Sequence, residues 1–214
     1  MMKRIILTLL VAGGAAYGQT YYLGGLGGYG AAPSLSVTFP ATPGIASAST
    51  GLNGGGVVGA VGGGDTSNYW GGELRYMARF GGLKLSSGGT AVDFGAHTHY
   101  ITGDILRYFT PRESAVRPYV SFGGGIRILA GTGQESATQP LGNYAALTAT
   151  REALAVGDFG LGIKFTLSKS TNLRLEVRDY VGASPDKVIA PNTGAKISSV
   201  LNDVIAIAVL SYTW

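Results

Sequence analysis

The chain of 214 residues carries 16 Lys and Arg against 12 Asp and Glu, 13% charged residues, 45% hydrophobic residues, 36 glycines and no cysteine. A formal charge of +4 without a Lys/Arg cluster is too small a basic footprint for nucleic acid, which is excluded as a partner. The lack of cysteine excludes disulfides and a lipid-modified amino terminus.

Lys3 and Arg4 precede the apolar run Ile5 to Ala12, and Ala16-Tyr17-Gly18 supplies small residues for cleavage before Gln19. This is the pattern of a secretory signal peptide over residues 1–18. Losing Lys3 and Arg4 lowers the basic residues from 16 to 14 against 12 acidic, a net charge of +2. Outside the signal no apolar run approaches the roughly 20 residues of a helical membrane span. Apolar residues fall instead in short segments, as in an all-β sandwich or barrel.

Residues 19–31 (QTYYLGGLGGYGA) read as a weak first strand, although Gly25, Gly27 and Gly30 formally match a dinucleotide fingerprint. That fingerprint needs a preceding strand and a following helix, and here a Pro-, Ser- and Thr-rich loop, 32–52, follows. Asn53 to Gly63 is a second glycine-loaded strand, and residues 64–68 form a compact turn. From Trp70 to Phe80 the alternation is clean, with Trp70, Leu74, Tyr76, Ala78 and Phe80 opposing Glu73, Arg75, Met77 and Arg79. A short loop at 84–90 leads to a long strand, 91–109, whose mixed alternation around Ile101 to Leu106 suggests a bulge.

After a polar turn at 110–117, Pro118 opens a strand in which Val120, Phe122, Ile126 and Ile128 oppose Ser121, Arg127 and glycines. A long polar loop, 131–151, precedes a strand at 153–167, where Phe159, Leu161, Ile163 and Phe165 oppose Asp158, Gly160, Gly162 and Lys164. A tight turn at 168–171 leads to 172–181, where Leu173, Leu175 and Val177 alternate with Arg174, Glu176, Arg178 and Tyr180. The last long loop, 182–201, precedes the closing strand NDVIAIAVLSYTW, which carries Leu210, Tyr212 and Trp214 on one face.

These segments make about eight strands, and their connections alternate between long and tight. Short turns at one end and long loops at the other are the asymmetry of a transmembrane barrel. Strands of about ten residues suit a tilted span better than the five to six typical of a soluble sandwich. Alternation alone does not say which face is buried. In a sandwich the charges would face water; in a barrel they would face the lumen.

RPYVSFGGGIRI (117–128), LRLEVRDY (173–180), the terminal SYTW and the secretion signal resemble the small outer-membrane β-barrel proteins of the OmpA-like and Opa-like type. The resemblance covers nearly all of residues 19–214, expected to be one domain: a single antiparallel up-and-down barrel without a peptidoglycan-binding domain. It implies insertion in the cell outer membrane, contact with its lipid, and recognition by the barrel assembly machinery through the C-terminal strand, with Tyr212 and Trp214 as interface and assembly signal.

On that reading Glu73, Arg75, Arg79, His97, His99, Arg107, Arg127, Asp158, Lys164, Arg174, Glu176 and Arg178 form a lumen charge network. An eight-stranded barrel is wide enough only for side chains to fill it, so mutually neutralising charges are expected to plug it. His97-x-His99 is the one pair spaced for zinc, but no cysteine exists to complete the site and Asp93 is the only acid nearby on that face. No Gly-x-Ser-x-Gly elbow occurs. The expected protein is a monomeric membrane scaffold with surface-exposed loops, neither an enzyme nor a cofactor binder. The alternatives are a narrow channel for small or apolar solutes and, less favoured, a secreted soluble β-sandwich. The closing strand poses one problem: with Leu210, Tyr212 and Trp214 toward lipid, Ile205, Ile207 and Val209 face the lumen, requiring an apolar patch or a register-shifting bulge.

Overall fold

The computed structural model describes residues 20–40, 47–136 and 138–214; the expected signal peptide lies outside them. Fifteen strands follow in order. The first eight are β1 (Thr20–Ala31), β2 (Leu35–Thr38), β3 (Ala48–Leu52), β4 (Gly55–Asp65), β5 (Trp70–Phe80), β6 (Leu83–Ser87), β7 (Thr90–Phe94) and β8 (Ala96–Tyr108). The rest are β9 (Val116–Gly131), β10 (Ala145–Leu147), β11 (Arg151–Thr166), β12 (Thr171–Ala183), β13 (Ile189–Pro191), β14 (Lys196–Ile197) and β15 (Val200–Thr213).

Eight strands close into an antiparallel barrel in the order β1-β15-β12-β11-β9-β8-β5-β4. Consecutive barrel strands are neighbours, and β1 closes the ring by pairing β15 from Tyr22↔Thr213 to Ala31↔Val204 and β4 from Thr20↔Asp65 to Gly30↔Gly55. Closure leaves the barrel no unpaired edge and rules out the sandwich. The glycine-rich opening segments are therefore full barrel strands. Their lack of side chains weakens the hydrophobic signal without removing the backbone ladder.

The polarity of the wall is inverted relative to a soluble protein. Leu23, Leu74, Phe80, Ile101, Ile105, Phe122, Phe159, Leu161, Leu175, Val177 and Leu210 are exposed on the outside. Arg75, Arg79, Arg117, Arg127, Arg174 and Arg178 are almost completely buried within. Leu210, Tyr212 and Trp214 face outward and Ile205, Ile207 and Val209 inward. The β12–β15 register is unbroken from Thr171↔Tyr212 to Ala183↔Val200. The closing strand thus has an apolar inner patch and no bulge. Residues 101–106 likewise pair continuously with both neighbours, so the expected bulge is absent.

One end of the barrel carries the tight turns. Leu167 donates its N–H to Thr171 O (2.9 Å), Thr66 to Trp70 O (2.9 Å) and Phe109 to Pro118 O (2.9 Å). The turn expected at 64–68 starts later, because Asp65 still pairs with Gly71.

The connections at the other end, expected as loops, are folded. β2 and β3 come from the first long connection, β6 and β7 from the second and β14 from the fourth; together they build a five-stranded sheet, β14-β2-β3-β6-β7. β10 of the third connection pairs with β13 of the fourth. The expected strand 91–109 is two strands, β7 in this sheet and β8 in the barrel, divided at Gly95. Gly88 and Gly89 join β6 to β7 with φ of 56° and 83°, the pair of left-handed residues that a type I′ hairpin requires.

This cap has its own apolar core. Leu35, Val37, Leu52, Leu83, Leu85, Phe94, Leu147, Val188 and Ile189 cluster with Ala96, Leu129 and Leu201 at the barrel mouth. The apolar cluster therefore continues from the cap into the barrel mouth.

Candidate functional site

Among the described residues the barrel interior gathers buried charged side chains, and period-two alternation puts them there. Glu73 and Arg75 of β5 lie opposite Arg174, Glu176 and Arg178 of β12, across the lumen.

Glu73 is the hub. Its Oε1 accepts hydrogen bonds from Arg75 Nη2 (2.7 Å) and Arg178 Nη2 (2.6 Å), and its Oε2 from Arg174 Nη1 (2.7 Å) and Tyr22 Oη (2.8 Å). Glu176 Oε2 accepts from Arg75 Nη2 and Arg178 Nε, both at 2.8 Å. Arg178 Nη1 also meets Asp158 Oδ1 at 3.0 Å and Asp104 Oδ2 at 3.1 Å. Three guanidiniums and four carboxyl groups thus interlock, the condition under which buried ions are tolerated.

Two smaller clusters flank the hub. Toward the tight turns, Arg117 Nη1 and Lys164 Nζ meet Asp65 Oδ2 at 2.5 and 3.5 Å, while the Arg117 guanidinium lies 3.7 Å from the Tyr108 ring centroid. Toward the cap, Asp203 takes Arg79 Nε at 2.9 Å and accepts from Tyr100 Oη at 2.7 Å. There Arg127 donates to the carbonyls of Leu201 and Ala183, and Arg79 to those of Asn53 (2.7 Å) and Gly30 (3.3 Å). Glycines make room for these long side chains. A Cβ at Gly160 would stand 2.7 Å from Arg178 Cγ, and one at Gly162 2.5 Å from the Tyr119 ring.

An apolar strip completes the lining. Leu26 of β1, Val57 and Val61 of β4 and Ile205, Ile207 and Val209 of β15 pack together with Met77, Tyr100 and Tyr180.

Of the residues expected in the lumen, Glu73, Arg75, Arg79, Arg127, Asp158, Lys164, Arg174, Glu176 and Arg178 point into it. His97, His99 and Arg107 do not. They share the parity of Ile101 and Ile105 on the outer face of β8, whereas Thr98, Tyr100, Thr102, Asp104, Leu106 and Tyr108 are buried. The two histidine rings are 5.0 Å apart on that outer wall, and among the described residues no group of three or more His, Cys, Asp or Glu is placed to hold a metal ion. Sequence reasoning missed Asp65, Asp104, Arg117 and Asp203 inside. Strict counting in twos from the buried residues of each strand would have found them.

The outward polar residues frame the apolar wall. Arg107 lies over the rings of Tyr69 (5.0 Å) and Trp70 (5.2 Å) near the tight turns, and Tyr212 and Trp214 stack at 6.3 Å. Toward the cap stand His97, His99 and the Asp179–Asn202 pair (3.0 Å). The eight residue steps from His99 to Arg107 correspond to about 20 Å of wall at a tilt of roughly 40°. That matches an apolar band of about 25 Å between aromatic girdles.

No family model and no curated protein matches the sequence. Solved structures do. The outer membrane protein OprG from Pseudomonas aeruginosa is 13% identical, with 91% of this chain and 95% of that one covered at a TM-score of 0.59. Neisserial surface protein A is 11% identical, with coverage of 90% and 97% and a TM-score of 0.56. The chain therefore has the fold of the small eight-stranded outer-membrane β-barrels.

Proposed function

We propose that this protein is an integral outer-membrane barrel with a structural and surface-interaction role, its lumen closed by charged side chains and its folded cap presented to the outside. The Glu73 hub carries this reading. Seven ionisable groups from four strands, β5, β8, β11 and β12, interlock across the interior, and a water-filled pore would separate them. The apolar core of the cap, continuous with Leu129 and Leu201 at the mouth, supports closure from the other side.

The remaining parts follow from the apolar wall. Residues 1–18 would direct export. The terminal strand, with Tyr212 and Trp214 exposed at the tight-turn end, would be recognised by the barrel assembly machinery. The barrel then sits as a monomer in outer-membrane lipid, tight turns toward the periplasm.

Reconstitution in planar bilayers tests the closed lumen. The expected record has no steady unitary currents from heat-modifiable protein; steady single-channel steps would overturn it. The inner apolar strip favours one second reading, a narrow route for small or apolar solutes. Dye entry into liposomes carrying the wild-type barrel, at a rate above that of empty liposomes, would select it.

A further inference from the structure

The outer wall carries one basic cluster that the lumen network and the apolar belt leave unexplained. His97 pairs across β8 and β9 with Ala130, and Ala130 pairs across β9 and β11 with Arg151. Alternation directs all three outward, with His99 one outward position below His97. Two strand spacings put the His97 and Arg151 backbones about 10 Å apart, within reach of an extended arginine. The small Ala130 between them leaves a shallow saddle.

Donors face this saddle and acids do not. Tyr76 Oη lies 2.9 Å from His99 Nδ1; a hydroxyl donating there leaves the proton on Nε2, pointing away as a donor. The surrounding outward positions are Ala78 and Phe80 on β5, Ile128 and Ala130 on β9 and Ala153 on β11, none of them charged. Neighbouring carboxylates are engaged elsewhere. Glu152 accepts from the Lys187 N–H (2.9 Å), Glu135 from the Ala149 N–H (2.5 Å) and Asp93 from Asn53 Nδ2 (2.8 Å). His97, His99 and Arg151 form no ion pair among the described residues.

The height of the cluster selects the ligand. Directly below it are Ile101 and Ile105, exposed at 44% and 48%, and above it the cap begins. In a membrane that boundary is the headgroup layer of the outer leaflet. Resting on the outer-membrane reading above, we propose that His97, His99 and Arg151 form a lateral site for the phosphate headgroup of an anionic outer-leaflet lipid. Arg151 supplies a fixed charge and a planar donor set. An anionic phosphate held against an imidazole favours its charged form, so retention of the lipid tightens toward acid.

The test uses the full mature chain in nanodiscs of phosphatidylcholine and phosphatidylglycerol, taking only preparations with heat-modifiable migration. Failure of the barrel reading would show there, as loss of the folded species. Failure of the site would show as a folded barrel without lipid preference. Phosphatidylglycerol keeps its single charge across the histidine range, so a pH effect belongs to the protein. Native mass spectrometry of the ejected barrel should find phosphatidylglycerol retained over phosphatidylcholine, with retention rising about fivefold from about pH 8 to about pH 5.5. His97→Gln/His99→Gln should abolish the rise, and Arg151→Gln should lower retention about fivefold at both pH values. Arg107→Gln, at the opposite edge of the belt, should leave the rise intact. Equal retention of the two lipids by the wild type, or a pH rise that survives in the double glutamine variant, would overturn the site.

Discussion

Glu73 accepts four hydrogen bonds, two on each oxygen, and three of the donors are guanidinium groups. Replacing its charge while keeping its shape strands those guanidiniums around a neutral amide. Glu73→Gln should lower stability by about 3–5 kcal/mol, the cost of removing one partner from a buried ionic cluster, measured by urea titration of the liposome-inserted barrel with tryptophan emission. A loss below about 1 kcal/mol would mean that water already screens the cluster. At this scale polarity predicted burial only where it agreed with strand parity. His97, His99 and Arg107 are polar yet face outward, because the ends of a lipid-facing wall are themselves polar. Tyr22, Tyr100, Tyr108, Tyr119 and Tyr180 are aromatic yet face inward, because a phenol packs its ring and hydrogen-bonds at its tip. Residue type leaves both groups ambiguous; parity resolves them.

The folded cap concerns elements. Within their own connections the short segments form only the hairpins β2–β3 and β6–β7; they become one sheet by pairing across different connections, β3 with β6 and β14 with β2. That is why a Ser- and Gly-rich sequence reads locally as loop. Only Gly88-Gly89, flanked by Leu83-Lys84-Leu85 and Ala91-Val92, gives a local hairpin signal. By contrast β5 and β12 were legible almost to the residue, since each alternates without help from distant partners. Leu83 and Leu85 are both about fully buried in the cap core, so Leu83→Ala/Leu85→Ala should cost at least about 2–5 kcal/mol. The loss should fall on the cap alone. Hydrogen exchange over residues 83–94 and 188–197 is expected to quicken while heat-modifiable migration and barrel-strand protection persist; a barrel that melts together with the cap would show that the two are one cooperative unit.

For the whole molecule, the inversion of polarity was legible only as a choice between two readings. The sequence carries the same alternation whichever side faces the core, and ring closure by β1 and β15 decides it. That closure also brings the two ends of the described chain side by side. The Tyr21 N–H donates to Trp214 O at 3.3 Å and the Trp214 N–H to Tyr21 O at 3.1 Å. The chain ends are thus one more hairpin lacking only its connecting residues, and the starting point of the ring is arbitrary for the finished wall. A circular permutant, with residues 214 and 20 joined by a short Gly-Ser linker and new ends opened at Ser67–Asn68, should refold in detergent to the same heat-modifiable species. On the proposed role of the terminal strand, it should nevertheless need a terminal aromatic strand restored at its new carboxy end before cells insert it: the wall can be closed from any seam, while the proposed address belongs to the last one. Insertion of the permutant in cells without such a strand would separate Tyr212 and Trp214 from any role in delivery.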